Sequence, residues 1–206
     1  MLITISGLVG TGKSTIAHRV VQILGSSGMK PRYVRFRSVT LFDREWPPAS
    51  GSANSESEEG TAVGVRGRDF RPRNLTAVLT LGYAVRILAF RLSGIGSASR
   101  CDVVDRYFYD NLMQYELNSR RARMYAGLLR RLMPTPDLAL LLVASDDTIS
   151  SRRPEYAREY VAAAGQRYEM LTGMFPNLVR ICTDTGSPVH DEILRLLNPV
   201  LTRRTG

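Results

Sequence analysis

The chain has 206 residues, 44% of them apolar and 23% charged, proportions that fit one globular domain and exclude wholesale disorder or a second independent core. Basic residues outnumber acidic ones by 28 to 19, a net charge of +9, and apart from Lys13 and Lys30 every basic residue is an arginine. That excess suits anionic partners, because the planar guanidinium can pair with phosphate through two bonds at once. No apolar run approaches the ~18 residues of a membrane span. The opening six residues lack the basic stretch of a secretory signal. Cys101 and Cys182 lie in apolar, strand-like surroundings, as expected of buried thiols rather than a bridge or metal pair. These features predict a cytoplasmic protein.

Residues 2–6 form a short apolar strand that runs into Gly7-Leu8-Val9-Gly10-Thr11-Gly12-Lys13-Ser14-Thr15. Apolar residues then recur at helical spacing from 14 to 24, and Gly25 and Gly28 mark the stop. Residues 32–37 alternate charged and apolar side chains and predict a second strand. Residues 38–73 change character, with Pro47-Pro48, a Ser/Gly/Glu stretch and then Arg66, Arg68, Arg71 and Arg73. A segment this long without periodicity predicts a mobile insert.

A long helix is expected over 75–92, then a brief strand at 102–105. The apolar run 138–144 has the composition of a buried parallel strand. Ser145 or Asp146 can cap the helix that follows, and Asp146-Asp147 reads as part of that cap rather than as a metal site. Further elements are expected at 156–171 (helix), 178–182 (strand) and 189–197 (helix). Strands alternating with helices predict an α/β domain over residues 1–206, with a parallel sheet.

Residues 7–14 satisfy G-x-x-x-x-G-K-[ST], between a strand and a helix. In such a loop the glycines let backbone amides wrap phosphate oxygens, the lysine reaches the β- and γ-phosphates, and the hydroxyl of Ser14 can ligate magnesium. This predicts a nucleoside-triphosphate site built from Gly7, Leu8, Val9, Gly10, Thr11, Gly12, Lys13, Ser14 and Thr15. Asp105 closes a strand at the place where a second magnesium-organising carboxylate is needed, and Arg106 follows it directly. His18 and His190 have no catalytic partner at suitable spacing and read as structural or surface residues.

These motifs, with Leu81-Gly82-Tyr83-Ala84-Val85-Arg86, Pro136-Asp137-Leu138, Arg152-Arg153 and Gln166-Arg167-Tyr168-Glu169-Met170-Leu171, resemble the thymidylate kinase family of P-loop nucleoside monophosphate kinases. The resemblance spans nearly the whole chain outside 38–73. It implies a three-layer P-loop NTPase fold, with a five-stranded parallel sheet and helices on both faces, and a short lid at 152–158. It implies ATP as phosphoryl donor, Mg²⁺ as cofactor and a small-molecule phosphoryl acceptor such as dTMP.

On this resemblance Lys13, Asp105, Arg153 and Arg158 are the catalytic candidates and Arg152 joins the ATP site. Arg37, Tyr83, Arg86, Arg106 and Tyr107 are candidates for the acceptor, and Ser14 and Asp105 for the metal. Because positions 8 to 11 carry no charge, the catalytic arginine is expected from the lid. The chain departs from the family at Val9, Ser6 and Val143, where the family carries acids, which leaves the donor site complete and the acceptor open. A kinase of a nucleoside or other metabolite is the first alternative. A nucleic-acid-associated ATPase is the second, disfavoured because no nucleic-acid motif accompanies the charge. A homodimer remains open.

Overall fold

The computed structural model describes residues 1–36, 87–97, 99–113, 118–184 and 188–205. Arg37, Tyr83, Arg86 and the expected insert at 38–73 lie outside the described residues, as does most of the helix expected at 75–92, of which residues 87–92 are helical.

Among the described residues five strands form one parallel sheet: β1 (Leu2–Gly7), β2 (Pro31–Arg35), β3 (Cys101–Asp105), β4 (Leu138–Val143) and β5 (Leu178–Cys182), in the order β2-β3-β1-β4-β5. The three inner strands are buried almost throughout, which explains why β4 reads as an unbroken apolar run, while β1 and β3 bury the polar side chains of Thr4, Ser6, Asp102 and Asp105 among apolar ones. Alternate residues feed two separate cores. Ile3, Ile5, Val103, Leu140 and Leu142 face α1 (Lys13–Ser26) and α6 (Val189–Thr205), through Ile16, Ala17, Val20, Leu24, Ile193 and Leu197. Leu2, Val104, Ala139 and Leu141 face the other side, toward residues 87–92, α2 (Phe108–Leu112), α3 (Arg120–Leu132) and α5 (Arg158–Met174). The result is the three-layer arrangement expected from sequence.

Local chemistry sets the element ends. Ser145 caps α4 (Asp146–Arg152) by accepting from the Thr148 amide, while Asp146 and Asp147 occupy the first turn, where carboxylates oppose the helix dipole. Asp184 accepts from the Ser145 amide at 2.8 Å, tying the end of β5 to that cap, and this bond, ahead of those from Thr148 and Cys182, holds its carboxyl well below the usual range. Two expectations need correction. Cys182 is exposed, its thiol donating to Asp184, because it closes an edge strand; Cys101 is buried as expected. The last helix does not stop at residue 197 but continues through Pro199. Pro199 and Arg195, whose carbonyl loses its helical donor there, are both exposed, so water can satisfy the freed group. Among the described residues no helix is long and apolar enough to cross a membrane.

β1 leads into the phosphate loop through Gly7, at φ 151°, beside Leu142 of β4. A Cβ at Gly7 would lie 2.5 Å from the Leu142 carbonyl oxygen, a backbone atom that cannot yield without disturbing the ladder. Gly7→Ala is therefore expected to lower the unfolding free energy by ~1–3 kcal/mol, the usual range for overpacking. Urea denaturation followed by circular dichroism checks this; an unchanged midpoint would contradict the packing described.

Candidate active site

The candidate site lies at the C-terminal edge of the sheet, where β1 and β3 end side by side. Gly10 (φ 83°) and Gly12 (φ 79°) take left-handed conformations, which turn the loop back on itself so that α1 can start at Lys13. The first amides of α1 have no partner within the helix and form, with the helix dipole, a site for anions. Gly12, Lys13, Ser14 and Thr15 line a cleft of about 250 Å³ together with Val9, Gly10, Arg106, Arg152 and Arg153.

Lys13 is buried, and its ammonium donates to the Leu8 carbonyl at 2.7 Å, an acceptor the loop provides from its own backbone. Thr11 donates to the same carbonyl at 2.7 Å through its hydroxyl, closing the loop on itself. The Leu8 side chain points away into the core. Leu8 and Thr11 thus support the loop, and the cleft is lined by the other loop residues from Val9 to Thr15.

Asp105, at the end of β3, is fully buried. Its Oδ2 accepts from the Ser14 hydroxyl at 3.0 Å and from the Tyr33 hydroxyl at 2.8 Å, with the Arg35 guanidinium 3.9 Å away. Burial, reinforced by the negative charge of Asp105, pushes the Tyr33 phenol up to about 12, so it remains protonated and donates at neutral pH. The other carboxylate oxygen, Oδ1, is buried without a hydrogen-bond partner. An orphaned carboxylate oxygen beside a serine hydroxyl at the head of α1 is the donor set that a hard divalent cation takes, so Ser14 and Asp105 fit the metal role expected of them. Among the described residues no group of three or more His, Cys, Asp or Glu side chains forms a further candidate metal centre.

The arginines divide. Arg106 is the one non-glycine residue with positive φ among the described residues, at 65°, a conformation worth ~1–3 kcal/mol of strain for a residue of this kind. Its amide still bonds the Ile5 carbonyl at 2.9 Å, so the backbone turns sharply at the strand end and the side chain enters the cleft. Arg152 donates to the Gly10 carbonyl at 3.2 Å and to the Thr183 carbonyl at 2.8 Å, joining α4 and the end of β5 to the phosphate loop. Arg153 lies along the loop, with its Cγ 3.2 Å from where a Gly10 Cβ would be, and its guanidinium reaches Glu155 at 3.4 Å. Arg158 is not brought to the cleft. It opens α5 at the surface and pairs with Asp147 at 3.3 Å, both side chains largely exposed.

Tyr107 also departs from expectation. Rather than facing an acceptor, its ring is buried against Phe36, Phe90, Phe108 and Tyr109, and its hydroxyl donates to the Pro134 carbonyl at 2.6 Å. Burial raises its phenol far above the ordinary range. A residue just past a buried strand turns into the core when the one before it, here Arg106, takes the cleft.

A comparison with curated proteins finds a probable thymidylate kinase of Archaeoglobus fulgidus, 26% identical over 166 residues, which are 81% of this chain and 71% of that protein. Among solved structures, the thymidylate kinase of Candida albicans matches 98% of this chain and 92% of its own, at 18% identity and a TM-score of 0.57. The thymidylate kinase of Ehrlichia chaffeensis matches 96% and 98%, at 17% identity and 0.56. The chain is thymidylate kinase-like. A deoxyadenosine kinase from M. mycoides is nearly as similar in shape, with a TM-score of 0.54 at 16% identity over 98% of this chain and the whole of that one. No protein-family model matches the chain. The structural likenesses establish the P-loop NTPase fold, and within this thymidylate kinase-like frame the motif residues Lys13, Ser14, Asp105 and Arg106 meet at one strand edge.

Two groups that the sequence did not disclose belong to the site. Tyr33 was legible only as a strand residue; its contact with Asp105 depends on β2 lying next to β3. Asp110 and Tyr168, 58 residues apart, meet beneath Gly7. The placement of Tyr107 gives a direct check. Tyr107→Phe is expected to lose ~1 kcal/mol of stability with the Pro134 bond, while leaving nucleotide affinity unchanged. Thermal unfolding and a binding titration on the same protein measure both. A marked loss of nucleotide affinity without loss of stability would contradict a core role.

Proposed function

We propose that the chain is an ATP-dependent phosphotransferase that moves the γ-phosphoryl group of Mg-ATP to a nucleoside monophosphate, dTMP or a related nucleotide. The observation that carries this reading is the convergence, in one cleft, of the phosphate loop with Arg106 from the end of β3 and Arg152 and Arg153 from the end of α4, beside a buried carboxylate bonded to the loop's Ser14. Phosphoryl transfer needs positioning and charge neutralisation more than covalent chemistry, and this is what the cleft offers. Its likeness to thymidylate kinases supports the nucleoside monophosphate as acceptor.

In this reading the loop amides and Lys13 hold the donor phosphates, with Lys13 leaving the Leu8 carbonyl for them. Ser14 and Asp105 would hold magnesium, which would supply positive charge to offset that of the donor phosphates. Arg106, driven into the cleft by its strained backbone, faces the acceptor phosphate. Arg153 lies against Gly10, at the loop, and is placed to meet the charge that spreads over the γ-phosphoryl oxygens during transfer. Arg152 anchors the lid segment through two backbone carbonyls. Arg158, in its surface ion pair, has a lesser part, so the sequence expectation for a catalytic pair narrows to Arg153.

The test is ADP formation from Mg-ATP across a panel of nucleoside monophosphates, nucleosides and sugar phosphates. The expected result is turnover with a deoxynucleoside monophosphate. Turnover confined to nucleosides, or ATPase activity raised only by DNA or RNA, would overturn this reading. With the preferred acceptor, Arg153→Ala is expected to lower kcat by ~10³ with little change in ATP affinity, and Arg153→Lys to recover little of it. Arg158→Ala is expected to stay within about threefold of wild type, because an exposed ion pair contributes little. The reverse pattern would move the catalytic role to Arg158.

A further inference from the structure

Gly7 is held by both of its backbone polar groups from outside the phosphate loop. Its amide donates to Asp110 Oδ1 at 3.3 Å, and its carbonyl accepts from the Tyr168 hydroxyl at 2.7 Å. The same hydroxyl lies 2.8 Å from Asp110 Oδ1, so carboxylate, phenol and glycine close a small ring. Tyr168 is buried and belongs to α5, the helix that follows the lid segment; Asp110 belongs to α2, five residues after Asp105. The next residue of α5, moving toward its start, is Arg167, which donates to the Met113 carbonyl at the end of α2. Two adjacent residues of α5 therefore fasten α2, and one of them also fastens the loop.

Burial and the neighbouring Asp110 charge raise the Tyr168 phenol well above its ordinary value, so it remains a donor. Burying a carboxylate and a phenol is costly unless they are bonded, and here the partner they share is the first glycine of the phosphate loop. A purely apolar contact would fill this space without that cost. The bonds instead specify the orientation of the Gly7 peptide on both sides, at the point where the chain leaves β1 and the loop begins. Both backbone groups of Gly7 are thus engaged where the rest of the loop departs.

We infer that Asp110 and Tyr168 are positioning residues for nucleotide binding: together they fix the first glycine of the phosphate loop and tie it to the helix behind the lid. The inference rests on the reading of residues 7–14 as a triphosphate site. Neither side chain is among those lining the cleft, so their effect on a nucleotide passes through Gly7.

The experiment is a calorimetric titration of the full chain with Mg-ATP, alongside its thermal unfolding. Tyr168→Phe keeps the ring and removes the hydroxyl, and is expected to weaken ATP binding on the order of tenfold, as one lost hydrogen bond would. Asp110→Ala is expected to do at least as much, and Asp110→Asn, which retains an oxygen to accept from Gly7, to stay within about threefold of wild type. Should Asp110→Ala fail to fold, Tyr168→Phe decides the matter. ATP affinity unchanged in Tyr168→Phe, with or without a lower melting temperature, would show a merely structural contact and overturn the inference. Wild-type protein that does not bind ATP would instead overturn the triphosphate-site reading, and the inference with it.

Discussion

The site depends on one buried carboxylate. Asp105 Oδ2 receives the Ser14 hydroxyl from the head of α1 and the Tyr33 hydroxyl from β2, with Arg35 close by, while its own backbone belongs to β3. Three elements separated by many residues are thus brought to a common point. Hydrogen bonds to a charged acceptor contribute ~1.5–3 kcal/mol each, more than neutral ones, and a buried carboxylate without them would be strongly destabilising. The sheet order at this edge serves these contacts, because β2 beside β3 presents Tyr33 and Arg35 to the end of β3. One oxygen of Asp105, Oδ1, is left buried without a hydrogen-bond partner, an arrangement that fits a carboxylate able to take a cation.

Around this point the molecule concentrates strain and positive charge. Gly7, Gly10 and Gly12 all have positive φ, and Arg106 accepts a conformation that ordinary side chains avoid. These costs are borne by the flanking strands, whose side chains are almost wholly buried on both faces of the sheet. The arginines that matter are few. The overall excess of basic residues attracts anions in general, but only Arg106, Arg152 and Arg153 enter the cleft among the described residues. Arg152 is occupied by backbone carbonyls and Arg153 reaches Glu155, so position rather than abundance assigns them their parts.

Much of the architecture was legible because the inner strands bury both faces and the helices bury one, which leaves short, largely apolar segments for the first, continuous in β4, and a 3.6-residue period for the second. The apolar run from Leu138 and the cap at Ser145 are cases in point. The phosphate loop was legible because its spacing is itself the chemistry. What escaped depended on tertiary placement. Tyr107 follows Asp-Arg and invited a role at the acceptor, but the sharp turn at Arg106 sends the two neighbouring side chains in opposite directions. Tyr33 carries no mark of its bond to Asp105, and Asp110 and Tyr168 share no spacing at all. Cys182 sits in an apolar string but at the sheet edge, where burial is incomplete. The C-terminal helix continues through Pro199, where exposure of Arg195 and Pro199 lets water satisfy the freed carbonyl, a matter of which face is exposed.

In the proposed function, Asp105 is the carboxylate that would organise the metal and the phosphate loop together. The most direct measurement is a magnesium titration of phosphoryl transfer in Asp105→Asn, a substitution that keeps the shape and an oxygen for Ser14 and Tyr33 but removes the charge. The expected result is a kcat lowered by at least ~10² and a higher magnesium concentration for half-maximal rate, with the protein still folded. An unchanged kcat and an unchanged magnesium dependence would contradict it.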